Sequence, residues 1–466
     1  MPQPAPTTRI LTEFVANARF RDLPPAVVAD AKRAVLDWVG SALAGALEPP
    51  ARMARTVVAG FGAGDEATLF PAERASAAGA ALGNGIAAHI LEFDDVHKGA
   101  TLHAAAPIIP AALAVAEREG ADGAAFLLAV VLGYEAALRI GEAVNPSHYR
   151  YWHPTGTAAT FGAAAAAGSL LRLDERQMLD AFGTAGTTAA GLWEFNADGA
   201  MSKHLHPGMA AFHGVLAVDL ARRGFTGATR ILEGARGFFR AMSECHDADR
   251  ITDRLGTTWK ISENCYKLHS CCGHTHTAID AALALREEMD LGNRSVAREI
   301  AAIEIATYDP GYAIVREANP RTPFQAKFSL AYCAAAALAD GAVGLAQFAP
   351  ERFAPEGTTE PTIAALLSRV RVAVDPDLTA RYPAAWPARV AVTLKDGREY
   401  ATGFDYPRGN PEAPVTTEEL EAKAHALIAP GYGAPFATRV LAAMRVLDAT
   451  PDMALFARET FSREVD

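Results

Sequence analysis

Ten of the chain's 13 histidines fall in or beside four short stretches, and three of those stretches also hold a lysine. "LEFDDVHKGATLHAAAP" carries Glu92, Asp94, Asp95, His97, Lys98 and His103, with His89 just before it. "YRYWHPTGT" carries Tyr149, Tyr151 and His153, with His148 just before it. "DGAMSKHLHPG" carries Lys203, His204 and His206, and "CYKLHSCCGHTH" carries Lys267, His269, His274 and His276 beside Cys265, Cys271 and Cys272. Imidazole gains and loses a proton near neutral pH, and neighbouring carboxylates orient it, so such a grouping points to proton transfer. One histidine beside a Pro or Gly turn is ordinarily a satisfied structural group. It is the concentration that carries the inference.

Lysine usage adds to it. The chain has eight lysines against 35 arginines, so arginine is its default cation. Lys203 and Lys267 each sit in a weakly charged segment, where an amine serves either as a base of lowered pKa or as a charge that holds a carboxylate. The competing reading is a solvated surface lysine. A metal site fits the spacing less well: Cys265 is followed by Cys271, Cys272, His274 and His276 with no second paired knuckle, and HExxH is absent. So are a Walker loop, GxSxG and a GxGxxG in a βαβ setting. We expect no metal and no cofactor. Cys271 and Cys272 read as small apolar packing residues, with a reactive thiol at Cys272 as the lesser alternative.

The elements that must position these groups follow from pattern. With 466 residues, 50% hydrophobic and 21% charged, the chain can bury a large core. A net charge of −11 argues against nucleic acid or an anionic membrane as partner and leaves room for a small acidic substrate at a locally cationic site. "MPQPAPTTRILTEF" shows no leader pattern, the apolar run 155–171 is too short to span a bilayer, and five clustered cysteines suggest no disulfide framework. A cytoplasmic location is the default expectation. Up to about residue 260 apolar residues recur at helical spacing, as in "LPPAVVADAKRAVLDWVGSALAGAL" with Pro24–Pro25 at its start. No strand-like alternation interrupts them, so this part is expected to be all-helical. Beyond about residue 295, "REIAAIEIATYD", "RVRVAVD" and the hairpin signal "ARVAVTLKDGREYATGF" read as strands around an apolar helix, "FSLAYCAAAALADGAV". "TTEELEAKAHALI" then opens a helix with a threonine cap. The predicted class is mainly α with an inserted α+β domain: a helical domain over 1–262 and 405–466, and a smaller α+β lid domain over 263–404.

In this order, the four stretches resemble the MmgE/PrpD family, which includes 2-methylcitrate dehydratase, cis-aconitate decarboxylase and iminodisuccinate epimerase. The resemblance runs from "LPPAVVADAKRAVLDWVGSALAG" through "GYEAALRIG", "YWHPTGTAATFGAAAAAGSLLRLD", "KHLHPGMAAFHGVLAVDLARRGFTG" and "YKLHSCCGHTHTAID" to "AKFSLAYCAAAALADG". It implies an active site between a helical and a lid domain, usually a homodimer, and no metal, flavin or nicotinamide. The family's acidic segment falls on Glu92-Phe93-Asp94-Asp95-Val96. Its following histidine falls on His103, the "HPTG" histidine on His153, the two site lysines on Lys203 and Lys267, and a last histidine on His276. Departures are Glu92 for Asp, Val96 for Thr, Ala104-Ala105 after His103, and Cys272 where the decarboxylase has histidine. They rank decarboxylation below the alternatives.

The resemblance implies proton movement next to a carboxylate. On this reading Asp94, His103, His153, Lys203 and Lys267 are catalytic, and Glu92, Asp95, His97, Tyr151, Cys272 and His276 line the substrate. Lys267 or His153 takes the α-proton, while His103, oriented by Asp94, protonates a leaving hydroxyl. The leading expectation is a dehydratase of a di- or tricarboxylate of the 2-methylcitrate or citrate type. Next come an epimerase of an iminodisuccinate-like dicarboxylate and a cis-aconitate-type decarboxylase. A zinc-dependent hydrolase and a non-catalytic binding protein are the alternatives of other classes.

Overall fold

The computed structural model describes residues 6–62, 64–291 and 295–462; the opening "MPQPA", part of the stretch read above for a leader, lies outside them. In chain order the helices that matter below are α1 (Pro25–Gly45), α2 (Ala77–His89), α3 (Ala105–Glu119), α4 (Gly123–Val144), α5 (Ala158–Leu170), α6 (Ser202–Arg222), α7 (Gly273–Met289), α8 (Leu330–Asp340) and α9 (Thr417–Tyr432). Four strands form the one larger sheet among the described residues: β1 (Ile300–Thr307), β2 (Val370–Val374), β3 (Ala388–Leu394) and β4 (Glu399–Phe404). The chain divides into two compact units, one of Met1–Ile90, Asp94–Asn264 and Thr416–Asp466, the other of Leu91–Phe93 and Cys265–Val415.

The first unit is helix on helix. Its ends are set by local chemistry: Pro25 opens α1 where no N–H is needed, and Asp122 caps α4 by accepting from the Ala125 N–H at 2.7 Å. Thr416 and Glu419 form a reciprocal capping box at α9. Alanine and glycine let the helices close up. At Gly133 on α4 an added Cβ would sit 2.9 Å from the Gly162 carbonyl oxygen on α5, too near for any side chain. The 22-residue α4 is long and apolar enough to cross a bilayer, but 89% of its most apolar window is buried among its neighbours. Arg139 on it is neutralised by Glu135 at 2.6 Å. The all-helical expectation needs one correction: Ala67–Leu69 and Glu73–Ala75 pair as an antiparallel ladder within this unit. Three-residue strands are too short to display a period of two, so the sequence hides them.

The second unit is α+β, with strand order β2-β1-β3-β4. β1 runs parallel to β2 and antiparallel to β3, pairing Ile305 with Val372 on one side and Val390 on the other. The uneven spacing of Ile300, Ile303 and Ile305 has a cause: the register shifts between Ile300 and Ala302, and that bulge returns all three side chains to the buried face. β3 and β4 form the expected hairpin, turning at Gly397 with φ +89°. Cys271, Cys272 and Cys333 pack with Ile279, Phe328 and Leu330 in the core of this unit, as small apolar residues do.

Candidate active site

The helical unit gathers the imidazoles. His89 ends α2 and is fully buried; its Nδ1–H donates to Asp94 Oδ2 at 2.7 Å. The same oxygen lies 3.4 Å from His103 Nδ1, whose shorter bond, 2.6 Å, goes to the Asp95 carbonyl. His103 therefore has a nearer holder than the Asp94 carboxylate. Its backbone N–H donates to Thr155 Oγ1 at 3.1 Å, tying it to the segment that carries His153. That segment pairs with residues 191–193: the His153 N–H donates to the Gly191 carbonyl at 2.9 Å, and the Trp193 N–H to the Tyr151 carbonyl at 3.1 Å.

His153 Nδ1 is 3.1 Å from His206 Nδ1, and Trp193 and Phe195 stand against the His153 ring at 5.1 and 5.9 Å between centroids. The His89 ring stacks on His153 at 5.6 Å and meets His103 edge-on at 4.7 Å. Lys203 lies in the first turn of α6, 2% exposed. Close approach of α2 and α6 is built in by two glycines: a Cβ on Gly85 would lie 2.9 Å from the Gly208 Cα. Those two helices carry His89, Lys203 and His204.

Burial sets the charge state here. It pushes His153 well below the usual imidazole range, helped by His206, His89, Lys203 and His103, and holds His206 at about 4. Both are neutral at pH 7 and able to accept a proton. Asp95 moves the other way, up to about 7, because it is buried beside Asp94 and Asp37. Its Oδ2 accepts from the Tyr134 hydroxyl at 2.6 Å and its Oδ1 from the Ala105 N–H at 3.1 Å, while its carbonyl holds His103. Both carboxylate oxygens are thus already bonded within the protein.

His97 belongs to a different group. Its Nε2 lies 3.4 Å from Glu263, and Lys260 bridges Glu263 and Glu142 at 3.2 and 3.0 Å. Against burial, His97 and Lys260 draw Glu263 down to about 2. Among the described residues two groups have spacing that could hold an ion, His89–His103–His153 and His97–Glu142–Glu263; the Lys260 ammonium already lies against the second. Tyr151 stands apart, 58% exposed.

The second unit gathers ammonium groups. Lys267, 1% exposed, donates to the Glu92 carbonyl at 3.1 Å and pairs with the Glu92 carboxylate at 3.5 Å. Lys327 and Ser270 both donate to the Leu91 carbonyl at 2.7 Å. These bonds hold Glu92 at φ +56°, a left-handed conformation that a residue other than glycine adopts only under constraint. On α7, His274 Nδ1 is 2.5 Å from the Tyr308 hydroxyl and its ring lies 4.4 Å from Trp386. Burial, then Lys267, push His274 down to about 3. His276 Nε2 bonds to the Cys271 carbonyl at 3.3 Å, and Cys272 is the N-cap residue of α7, 8% exposed.

The expected residues therefore fall into sets: Asp94, Asp95, His103, His153 and Lys203 together, Glu92 and Lys267 together, and His97 and Tyr151 elsewhere. Sequence reading left His89 outside the site and did not single out Lys327, Trp193 or Phe195. His89 lies only five residues before Asp94, the one signal that could have drawn it in.

The family described as "MmgE/PrpD N-terminal domain" matches residues 9–251, and "MmgE/PrpD C-terminal domain" matches residues 269–449. A cis-aconitate decarboxylase-like protein of Aspergillus oryzae is 27% identical over 437 residues, covering 89% of each chain. The cis-aconitate decarboxylase of Aspergillus terreus is 26% identical over 433 residues, 89% of this chain and 87% of that protein. That of Homo sapiens is 27% identical over 428 residues, 89% and 86%.

Proposed function

Because the chain belongs to the MmgE/PrpD family of enzymes, we propose that it is a lyase of a small di- or tricarboxylate, working by proton transfer at a carbon next to a carboxylate. The observation that carries this is the buried imidazole cluster: Asp94 orients one ring, His153 and His206 are kept neutral, and Lys203 lies buried beside them. His153, neutral at pH 7, is the group assigned to take the α-proton. Lys203 supplies the positive charge that a developing dianion requires, and in a water-poor site one such group is worth about 10²–10³ in rate. His103 is the acid for a departing hydroxyl. Lys267, paired with Glu92 in the second unit, is a cation of the kind that binds a carboxylate.

Dehydration of a 2-methylcitrate-like substrate fits a neutral base and a separate acid. Decarboxylation is a second reading, favoured by the names of the relatives above, all cis-aconitate decarboxylases or like them. Proton NMR in D2O with 2-methylcitrate, citrate, cis-aconitate and iminodisuccinate tests both. Loss of water supports the first, loss of carbon dioxide from cis-aconitate the second, and epimerisation without either loss replaces both. No exchange with any of the four refutes the reading.

The reading includes a homodimer. Leu205, Phe212 and Leu216 line one face of α6, Leu205 and Leu216 are exposed, and Phe61 packs on Phe212 at 6.5 Å beside exposed Met53 and Val57. An apolar stripe of this kind suits a second copy. Leu205→Glu with Leu216→Glu is expected to give monomers by sedimentation; an unchanged mass refutes that interface. A reducing, cytoplasmic setting accords with five cysteines that stand outside any disulfide.

A further inference from the structure

In the helical unit's imidazole cluster, His89 holds a polar atom whose role nothing above explains. His89 is 0% exposed, its Nδ1 is committed to Asp94 at 2.7 Å, and its Nε2 is buried without a hydrogen-bond partner among the described residues. A buried nitrogen left unbonded is costly, so it calls for a partner such as a ligand atom or a water. One nitrogen each of His89, His103 and His153 lies within 4.8 Å of the others. Three points so spaced always share a centre no more than about 2.8 Å from each, which is hydrogen-bond distance to one oxygen atom. The rings are also held by their other contacts: Asp94 holds His89, the Asp95 carbonyl holds His103, and His206 pairs with His153. Lys203 adds positive potential at His153 and His206, which favours an anionic oxygen at this centre over a metal cation.

We propose that His89 is a substrate-contacting residue: Asp94 fixes its ring at Nδ1, and its Nε2 meets one oxygen of a substrate carboxyl group in a seat beside His103 and His153. The inference rests on the carboxylate reading above for its ligand class.

The test separates the seat from the reaction by measuring binding. Tricarballylate, a tricarboxylate without a hydroxyl or a double bond, is titrated calorimetrically into the full-length wild type, His89→Asn and His89→Gln. Asparagine keeps a donor near the Nδ1 position and hence the Asp94 bond, whereas glutamine reaches the Nε2 position. The seat predicts that H89N binds about tenfold more weakly than wild type while H89Q stays within about threefold. A purely structural His89 predicts the reverse order, and that order, or wild-type binding by H89N, overturns the proposal. So does a wild type that does not bind tricarballylate, or stoichiometric zinc in the purified wild type that H89N lacks. Should H89N fail to fold, the ¹⁵N resonance of His89 Nε2 in the wild type decides: no shift on adding tricarballylate overturns the seat. Tricarballylate bound with the predicted order, together with no turnover of the four candidate substrates, breaks the proposed reaction and leaves the seat standing.

Discussion

In the helical unit one cluster of buried imidazoles is bonded to one another, to a carboxylate and to a backbone carbonyl; in the second unit two buried ammonium groups are bonded to the carbonyls of Leu91 and Glu92. Imidazole escapes the cost of burial by shedding its proton, as His153 and His206 do. A buried ammonium satisfied by carbonyls and a carboxylate keeps its charge, and the chain bends through a left-handed Glu92 to provide those acceptors. The imidazole cluster is thus equipped to move protons and the ammonium pair to hold negative charge.

Replacing the lysines is the strongest way to break this contrast. Lys203→Ala is expected to lower turnover by about 10³ with the thermal midpoint nearly unchanged, because its charge acts on the imidazoles and the developing dianion. Lys267→Met should instead lower stability by about 3 kcal/mol, since it removes the ammonium paired with the buried Glu92 carboxylate. Glu92→Gln in the same chain should recover most of that loss. If Lys203→Ala unfolds the protein while Lys267→Met leaves stability intact, the division of labour is wrong.

Acid titration comes next. His148 and His206, both held at about 4, and His274, held at about 3, are protonated more readily in the unfolded chain. The unfolded state therefore binds more protons below pH 6.5, and stability falls as pH drops from 6.5 towards these values. Asp95 has the opposite sign. Raised to about 7, it favours the folded state below pH 3.8, and that contribution is lost as pH rises through about 7. Asp95→Asn should flatten this second limb alone, as read from urea midpoints across the pH range. Equal curves for wild type and variant would remove Asp95 from the account.

Smaller effects sharpen the picture. Tyr134→Phe removes one hydrogen bond to a buried carboxyl group and should cost about 1–2 kcal/mol of stability. Tyr151→Phe, at an exposed position, should change KM by no more than about twofold. A tenfold rise would return Tyr151 to the substrate wall.

Much of this was legible in residue patterns. Proline and threonine caps, a period near 3.6 and the Asp396–Gly397 turn are local signals, and α1, α9 and the β3–β4 hairpin appear where those signals stand. The ladder of Ala67–Leu69 with Glu73–Ala75 was not legible, because its strands are shorter than the pattern that would reveal them. Of the site, the histidine clusters and Lys203 and Lys267 could be read from composition. His89 could not, since its importance lies in a helix end delivering its ring to Asp94 and His153.

What the sequence determined by itself is which residue types are present and which elements carry them, because helix ends, turns and apolar periods depend on neighbours a few residues away. What only the tertiary structure decided is which groups share a proton and which share a charge. His97 was expected beside Asp94 and joins Lys260, Glu142 and Glu263 instead. His103 is held more closely by a backbone carbonyl than by a carboxylate. Hydrogen bonds form over about 3 Å, and those distances are set by how the helices pack, here by glycines that bring α2 against α6.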